Sequence, residues 1–196
     1  MKVGYAILYE DGTLTISKEH TILQQPIYKD YGEFDDYNRP WRNDTDKIKI
    51  VKILNRVKSN CMKEWFVGCK NLTTLIDFQN LDVSDCKVFG FMFSECKSLT
   101  NISALTNWDV SNGRDFSGMF FGCKSLINIS VLSNWNMSNG EDFGIFGKCF
   151  NLKEIYLPNT LNSLTQDMFE YCDPNLKIQW KDTVYTYGDL MEYQEF

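Results

Sequence analysis

One eight-residue phrase recurs through this chain at a nearly fixed interval, and it limits what the chain can fold into. It runs WFVGCKNL over Trp65 to Leu72, MFSECKSL over Met92 to Leu99, MFFGCKSL over Met119 to Leu126 and IFGKCFNL over Ile145 to Leu152. A degenerate fifth copy, MFEYCDPNL, spans Met168 to Leu176. The cysteines of the phrase are Cys69, Cys96, Cys123, Cys149 and Cys172, spaced by 27, 27, 26 and 23 residues. A second phrase keeps the same register: Trp108-Asp109-Val110-Ser111-Asn112-Gly113 returns 27 residues later as Trp135-Asn136-Met137-Ser138-Asn139-Gly140. Leu81-Asp82-Val83-Ser84 is its earlier version. Two phrases in one register exclude coincidence, and a unit this short buries its apolar face only by stacking on its neighbours.

The period lies within the range of roughly 20–29 residues that leucine-rich repeats occupy. After the first four cysteines comes Leu-x-x-Leu/Ile, read as a short strand: Leu72 and Leu75, Leu99 and Ile102, Leu126 and Ile129, Leu152 and Ile155, with the shorter-spaced Leu176 and Ile178 closing the series. The expected architecture is an α/β repeat, a leucine-rich-repeat solenoid of about five coils with a parallel strand ladder. The Trp-Asp-x-Ser-Asn-Gly segment supplies the turn leaving each strand. Asp115 to Phe120 and its counterparts read as one or two helical turns, with Asp115 and Asp142 near the helix starts. The in-phase cysteines become core residues, cysteine acting there as a small hydrophobe. Cys61 and Cys86 fall outside this register.

Both ends read as caps, since an open coil needs cover. Residues 1–60 form the N-terminal capping region: a β-hairpin from Val3 to Tyr9 and Thr13 to Ile16, turning at Glu10-Asp11-Gly12, then a long irregular loop over 24–46. Ile48, Ile50, Val51, Ile53 and Val57 restore strand character before the repeats of 61–180. Residues 181–196 form the C-terminal cap: Val184 to Gly188, then a helix-like tail whose Leu190, Met191, Tyr193 and Phe196 close the last coil or, exposed, dock a partner.

Charge and composition narrow the function. No stretch approaches the roughly 18 apolar residues of a membrane span, and the N-terminal apolar run from Val3 to Tyr9 is too short for a secretory signal. The expected location is the cytoplasm. Residues 1–60 hold ten Lys/Arg against nine Asp/Glu, and 61–196 hold ten against seventeen. An acidic repeat body disfavours direct nucleic-acid binding and either serves solubility or suits a basic, nucleic-acid-handling protein partner. Catalysis is not expected. His20 is the only histidine, reading as a surface residue, and the chain contains neither a phosphate-binding nor a dinucleotide motif. Asp35-Asp36 and Glu141-Asp142 lack the ligand spacing of a calcium loop and read as solvated. No cofactor and no metal are expected.

The phrase MFFGCKSL, followed by an isoleucine strand and NWDVSN, resembles the BspA-like leucine-rich-repeat family of bacteria, mycoplasmas, some protists and phages, over residues 61–180. Cys149 to Pro158 is similar to the Cys-x-x-Leu-x-x-Ile-x-Leu-Pro form of that repeat, and YAILYEDGTLTI to the hairpin that often precedes it. The resemblance implies protein recognition, typically adhesion or host-matrix binding in secreted members.

Positions flanking a buried strand residue face outward. With Leu75, Ile102, Ile129, Ile155 and Ile178 buried, one outward column is Thr74, Asn101, Asn128, Glu154 and Lys177. The other is Ile76, Ser103, Ser130, Tyr156 and Gln179. This concave strip is either the binding face or plain surface. The rival surface is the N-terminal loop with Tyr28, Tyr31, Phe34, Asp35, Asp36, Tyr37 and Trp41, an aromatic density that fits an interface hot spot or a folded-over cap. The expected function is a non-enzymatic protein binder inside the cell. A specific form is a phage or mobile-element inhibitor of a bacterial nucleic-acid-handling defence protein. The alternative is a cell-surface adhesin fragment.

Overall fold

In the computed structural model, residues 2–127, 129–141 and 143–192 are described. The N-terminal hairpin forms as the sequence indicates: β1 (Lys2–Tyr9) pairs antiparallel with β2 (Thr13–Ser17). The segment read as an irregular loop over 24–46 instead contains a nine-residue strand. β3 (Ile27–Asp35) lies antiparallel along the outer edge of β1, and its pairing is interrupted by register shifts. A short 3-10 turn at Pro40–Asn43 follows, and then β4 (Ile50–Ile53) and β5 (Val57–Lys58). β6 (Thr74–Ile76) comes from the first repeat and β7 (Leu81–Asp82) from the turn after it.

β4 runs parallel to β2 on one side and to β6 on the other, so the sheet order is β3-β1-β2-β4-β6. The hairpin thus supplies the hydrogen-bonding edge for β4, and β4 in turn the edge on which the first repeat is laid. β2 is buried throughout, Thr13 and Thr15 included, rather than polar on one face. The chain after β2 crosses back over the hairpin, where the Leu23 N–H donates to the Tyr9 hydroxyl at 2.7 Å.

The strands do not continue as one ladder through five coils. β5 and β7 form a separate parallel pair. The next strands are β8 (Glu154–Tyr156), β9 (Lys177–Trp180) and β10 (Thr183–Thr186), in a three-stranded sheet ordered β10-β9-β8. Between the sheets, at Ser103–Leu105 and Ser130–Asn134, the chain makes 3-10 turns. The reason is local. Asn101 Oδ1 accepts the Ser103 N–H at 2.6 Å, and Thr106 and Ser133 hydroxyls donate to the Ser103 and Ser130 carbonyls. Short polar side chains that bond neighbouring backbone compete with sheet ladders. Thr74-Leu75-Ile76 and Glu154-Ile155-Tyr156, richer in β-branched and aromatic residues, remain extended.

Coil-to-coil bonding is concentrated on the opposite side, at the cysteine phrase, which is not helical. The N–H groups alternate between a tight turn and the next copy. Cys123 and Met119 N–H bond the carbonyls of Phe120 and Phe116, whereas Phe120 and Gly122 N–H reach those of Ile145 and Gly147. Gly118 and Gly122 hold φ of 57° and 72°. A residue at positive φ in the third position of a four-residue turn marks a type II turn and stops an α-helix from propagating. Asp115, expected at a helix start, caps such a turn through the Ser117 N–H at 2.9 Å. Asp142 lies outside the described residues.

The cysteines take their place in this turn ladder. The thiols of Cys96, Cys123, Cys149 and Cys172 donate to the carbonyls of Phe66, Phe93, Phe120 and Phe146 in the copy before, each at 3.1 Å. The phenylalanines of the phrase stack beneath them, with centroids 5.4 Å apart for Phe66–Phe93, 5.6 Å for Phe93–Phe120 and 6.0 Å for Phe120–Phe146. Phe78, Trp108 and Trp135 form a second stack, and both indole N–H groups donate to carbonyls of the preceding copy. Burial withdraws these thiols from ionisation: Cys69 and Cys123 are pushed up to about 12. All seven cysteines are free, and Cys61 is half-buried.

At the C-terminus β9 and β10 form a hairpin, followed by α1 (Tyr187–Glu192). Leu190 is buried and Tyr187 meets Phe169 at 6.2 Å, so the tail closes the last copy, while Met191 stays exposed. Tyr193 and Phe196 lie outside the described residues.

Candidate protein-interaction surface

The outward columns read from the sequence map onto two strand regions and a 3-10 region between them. Thr74, Asn101, Ser103, Ser130, Glu154, Tyr156 and Lys177 are exposed, and Ile76 and Gln179 are half-buried. Asn128 lies outside the described residues. Of the residues beneath, Ile102, Ile129, Ile155 and Ile178 are buried, whereas Leu75 is only half-buried. At the C-terminal end the columns are held by parallel pairing, with Glu154 opposite Lys177 and Tyr156 opposite Gln179. Tyr156 is the large apolar side chain there, 41% exposed. The neighbouring Glu154 carboxylate accepts its hydroxyl and raises the phenol above its ordinary range. Beside them Lys153 pairs with Asp173 at 2.5 Å. In the middle, Ile127 adds an exposed apolar side chain that lay outside both columns. It sits directly before Asn128, and pattern reading that placed only the two flanking positions overlooked it.

The rival N-terminal surface divides in two. Phe34 and Trp41 are buried against each other and against Trp65 and Phe66, with ring centroids 5.1–6.3 Å apart. The Trp41 indole donates to the Trp65 carbonyl at 2.7 Å. These two rings therefore cap the first repeat and offer nothing to a partner. Asp36, read as solvated, is also buried. Tyr28, at 46% exposure, and Tyr37, at 83%, remain at the surface, with Tyr31 and Asp35 half-buried.

Asp44 ties this edge down. It accepts from the Tyr31 hydroxyl at 2.9 Å and from Lys29 at 3.2 Å. Burial opposes its ionisation, yet these donors hold its carboxyl below the usual range, while burial and Asp44 raise the Tyr31 phenol. His20 lies at the surface, 2.6 Å from Asp30. Among the described residues, no group of three or more His, Cys, Asp or Glu is placed to hold a metal ion, and no helix is long and apolar enough to cross a membrane.

A stack of short parallel strands and turns, closed by a hairpin at one end and a hairpin and helix at the other, is the architecture of a repeat protein. A family profile described as "Mycoplasma protein of unknown function, DUF285" matches residues 39–157, and the chain belongs to that family. The matched segment contains the first four copies of the cysteine phrase. A crystal structure of a leucine-rich repeat protein from Bacteroides ovatus ATCC 8483 is similar at 17% identity with a TM-score of 0.46. The similarity covers 91% of this chain and 51% of that one, so the chain spans about half the length of that neighbour. A comparison with curated proteins finds no match.

Proposed function

We propose that this chain is a non-enzymatic protein-binding module of the BspA-like repeat kind, which works by occupying a partner's surface. The observation that carries the reading is the exposed part of the outward columns, Thr74, Asn101, Ser103, Ser130, Glu154, Tyr156 and Lys177, side chains of varied chemistry on a hydrogen-bonded, close-packed frame. Such a frame presents contacts already ordered, which lowers the entropic cost of association. The partner is a basic protein, because the acidity of the chain resides in residues 61–196, where seventeen acidic side chains face ten basic ones. In its specific form the chain is a cytoplasmic inhibitor of a nucleic-acid-handling protein.

The test is capture from a mycoplasmal lysate with the intact chain and with folded surface variants. Recovery of a basic protein that Glu154→Lys, Tyr156→Ala and Lys177→Glu abolish, and Tyr28→Ala and Tyr37→Ala leave intact, is the expected result. Capture indifferent to the column variants refutes the assigned face. Recovery of matrix or envelope proteins alone refutes the inhibitor and favours an adhesin.

A further inference from the structure

Where the N-terminal hairpin meets the first repeat, the structure has an open groove of about 940 Å³ lined by Val3, Val57 and a set of charged side chains. Most of its charges are already neutralised. Lys2 pairs with Glu33 at 2.7 Å, Arg56 with Asp82 at 2.9 Å and Lys58 with Asp85 at 2.6 Å. Asp36 differs. It lines the groove, is only 7% exposed, and among the described residues no cation lies within ion-pair distance of it. Its Oδ1 accepts the Ser59 hydroxyl at 2.5 Å and the Asn60 N–H at 3.2 Å. Its Oδ2 accepts from no described residue, and it is not among the fully enclosed polar atoms without a partner, so it opens to the groove.

A carboxylate removed from water is costly unless it is paired. Here the fold satisfies one oxygen and leaves the other facing a cavity large enough for a side chain. Val3 and Val57, almost wholly buried themselves, give the wall an apolar surface against which a long aliphatic stem can lie. The remaining charges on the rim are Lys18 and Glu19.

We infer that this groove receives an arginine side chain of a protein partner, with the guanidinium donating to Asp36 Oδ2 and the aliphatic stem against Val3 and Val57. Arginine is favoured because its charge persists on desolvation and its fork of donors suits a carboxylate oxygen in a confined site. The inference rests on the reading of a basic protein partner and adds to it a second contact, at the hairpin end rather than along the columns.

The experiment uses the full chain labelled with ¹⁵N and the blocked tripeptide acetyl-Ala-Arg-Ala-amide, followed through the backbone amide signals. The expected result is saturable movement of the Val57, Lys58 and Asn60 signals. The same tripeptide with citrulline, which keeps the shape and loses the charge, leaves them in place. Asp36→Asn retains an acceptor for Ser59 and Asn60 and lowers the apparent affinity roughly tenfold or more, as loss of one charge-assisted hydrogen bond requires. Equal binding of the citrulline peptide, unchanged affinity in Asp36→Asn, or signals that move only elsewhere overturns the inference. Since the probe is a peptide rather than the partner, failure here is distinct from failure of the column variants in the capture assay, which bears on the proposed function.

Discussion

Removing the sulfur of Cys123 separates two roles that the structure gives it. The side chain is wholly buried and its thiol donates to the Phe93 carbonyl at 3.1 Å. Cys123→Ala deletes about one methylene equivalent of buried apolar volume, worth about 0.8 kcal/mol in transfer. A residual void of about 30 Å³, the volume share of one water, adds roughly 0.7 kcal/mol. The lost hydrogen bond adds little, because the Phe93 carbonyl keeps the Cys96 N–H at 3.1 Å and is not orphaned. The expected destabilisation is about 1.5 kcal/mol, or ~3–6 °C in melting temperature for a chain of this size.

Cys123→Ser keeps a donor but places a hydroxyl on a shorter bond in an apolar layer. Its desolvation, only partly offset by a longer bond to Phe93, makes it the worse substitution, at about 2–3 kcal/mol. Guanidinium titrations in reductant, followed by tryptophan fluorescence, measure both variants. If Cys123→Ser is as stable as the parent, hydrogen bonding rather than packing selects the cysteine. If Cys123→Ala is neutral, the sulfur fills no needed space, and the packing account of the cysteine phrase fails.

The buried thiols make stability fall at high pH. Cys69, Cys86 and Cys123 rise through burial from an ordinary value of 9.0 to about 12, so the folded chain holds protons that the unfolded chain releases. Their contribution is therefore complete below pH 9 and is lost between about pH 9 and 12, a decline that denaturant titrations across that range measure, with the reverse slope refuting it. Labelling with iodoacetamide at neutral pH, read by mass spectrometry, modifies Cys61 alone before unfolding and all seven cysteines after it. Gly118→Ala places a Cβ at a φ of 57° and 2.5 Å from the Phe91 ring, which must swing outward. It costs ~1–2 kcal/mol for the left-handed backbone plus the displaced ring contact. Gly32→Ala, also at positive φ but with nothing within 4 Å of its Cβ, costs the backbone part alone, and equal losses in the two variants would show that the ring does not matter.

The repeat register, the buried cysteine and phenylalanine positions and the N-terminal hairpin were legible in the sequence, because each follows from residue type and spacing; of the tail residues read as closing the last coil, Leu190 is buried and Met191 exposed. A Cys or Phe returning every 26 or 27 residues has one place to go in a stack, and Cys96, Cys123 and Phe120 are there with 0% exposure. What the tertiary structure decided were matters of competition between neighbours. Whether Asn101-Ile102-Ser103 extends or turns depends on one side-chain oxygen winning the Ser103 N–H from an adjacent strand. Whether residues 115–120 coil into a helix depends on where the next copy places its carbonyls. Tyr28 to Trp41 looked uniform as a string of aromatics, yet the fold sends Phe34 and Trp41 into the core and leaves Tyr37 outside. The groove at Asp36 has no counterpart in any spacing, since it arises where residues from Lys2 to Asp85, distant in sequence, meet around a carboxylate only half satisfied by the described residues.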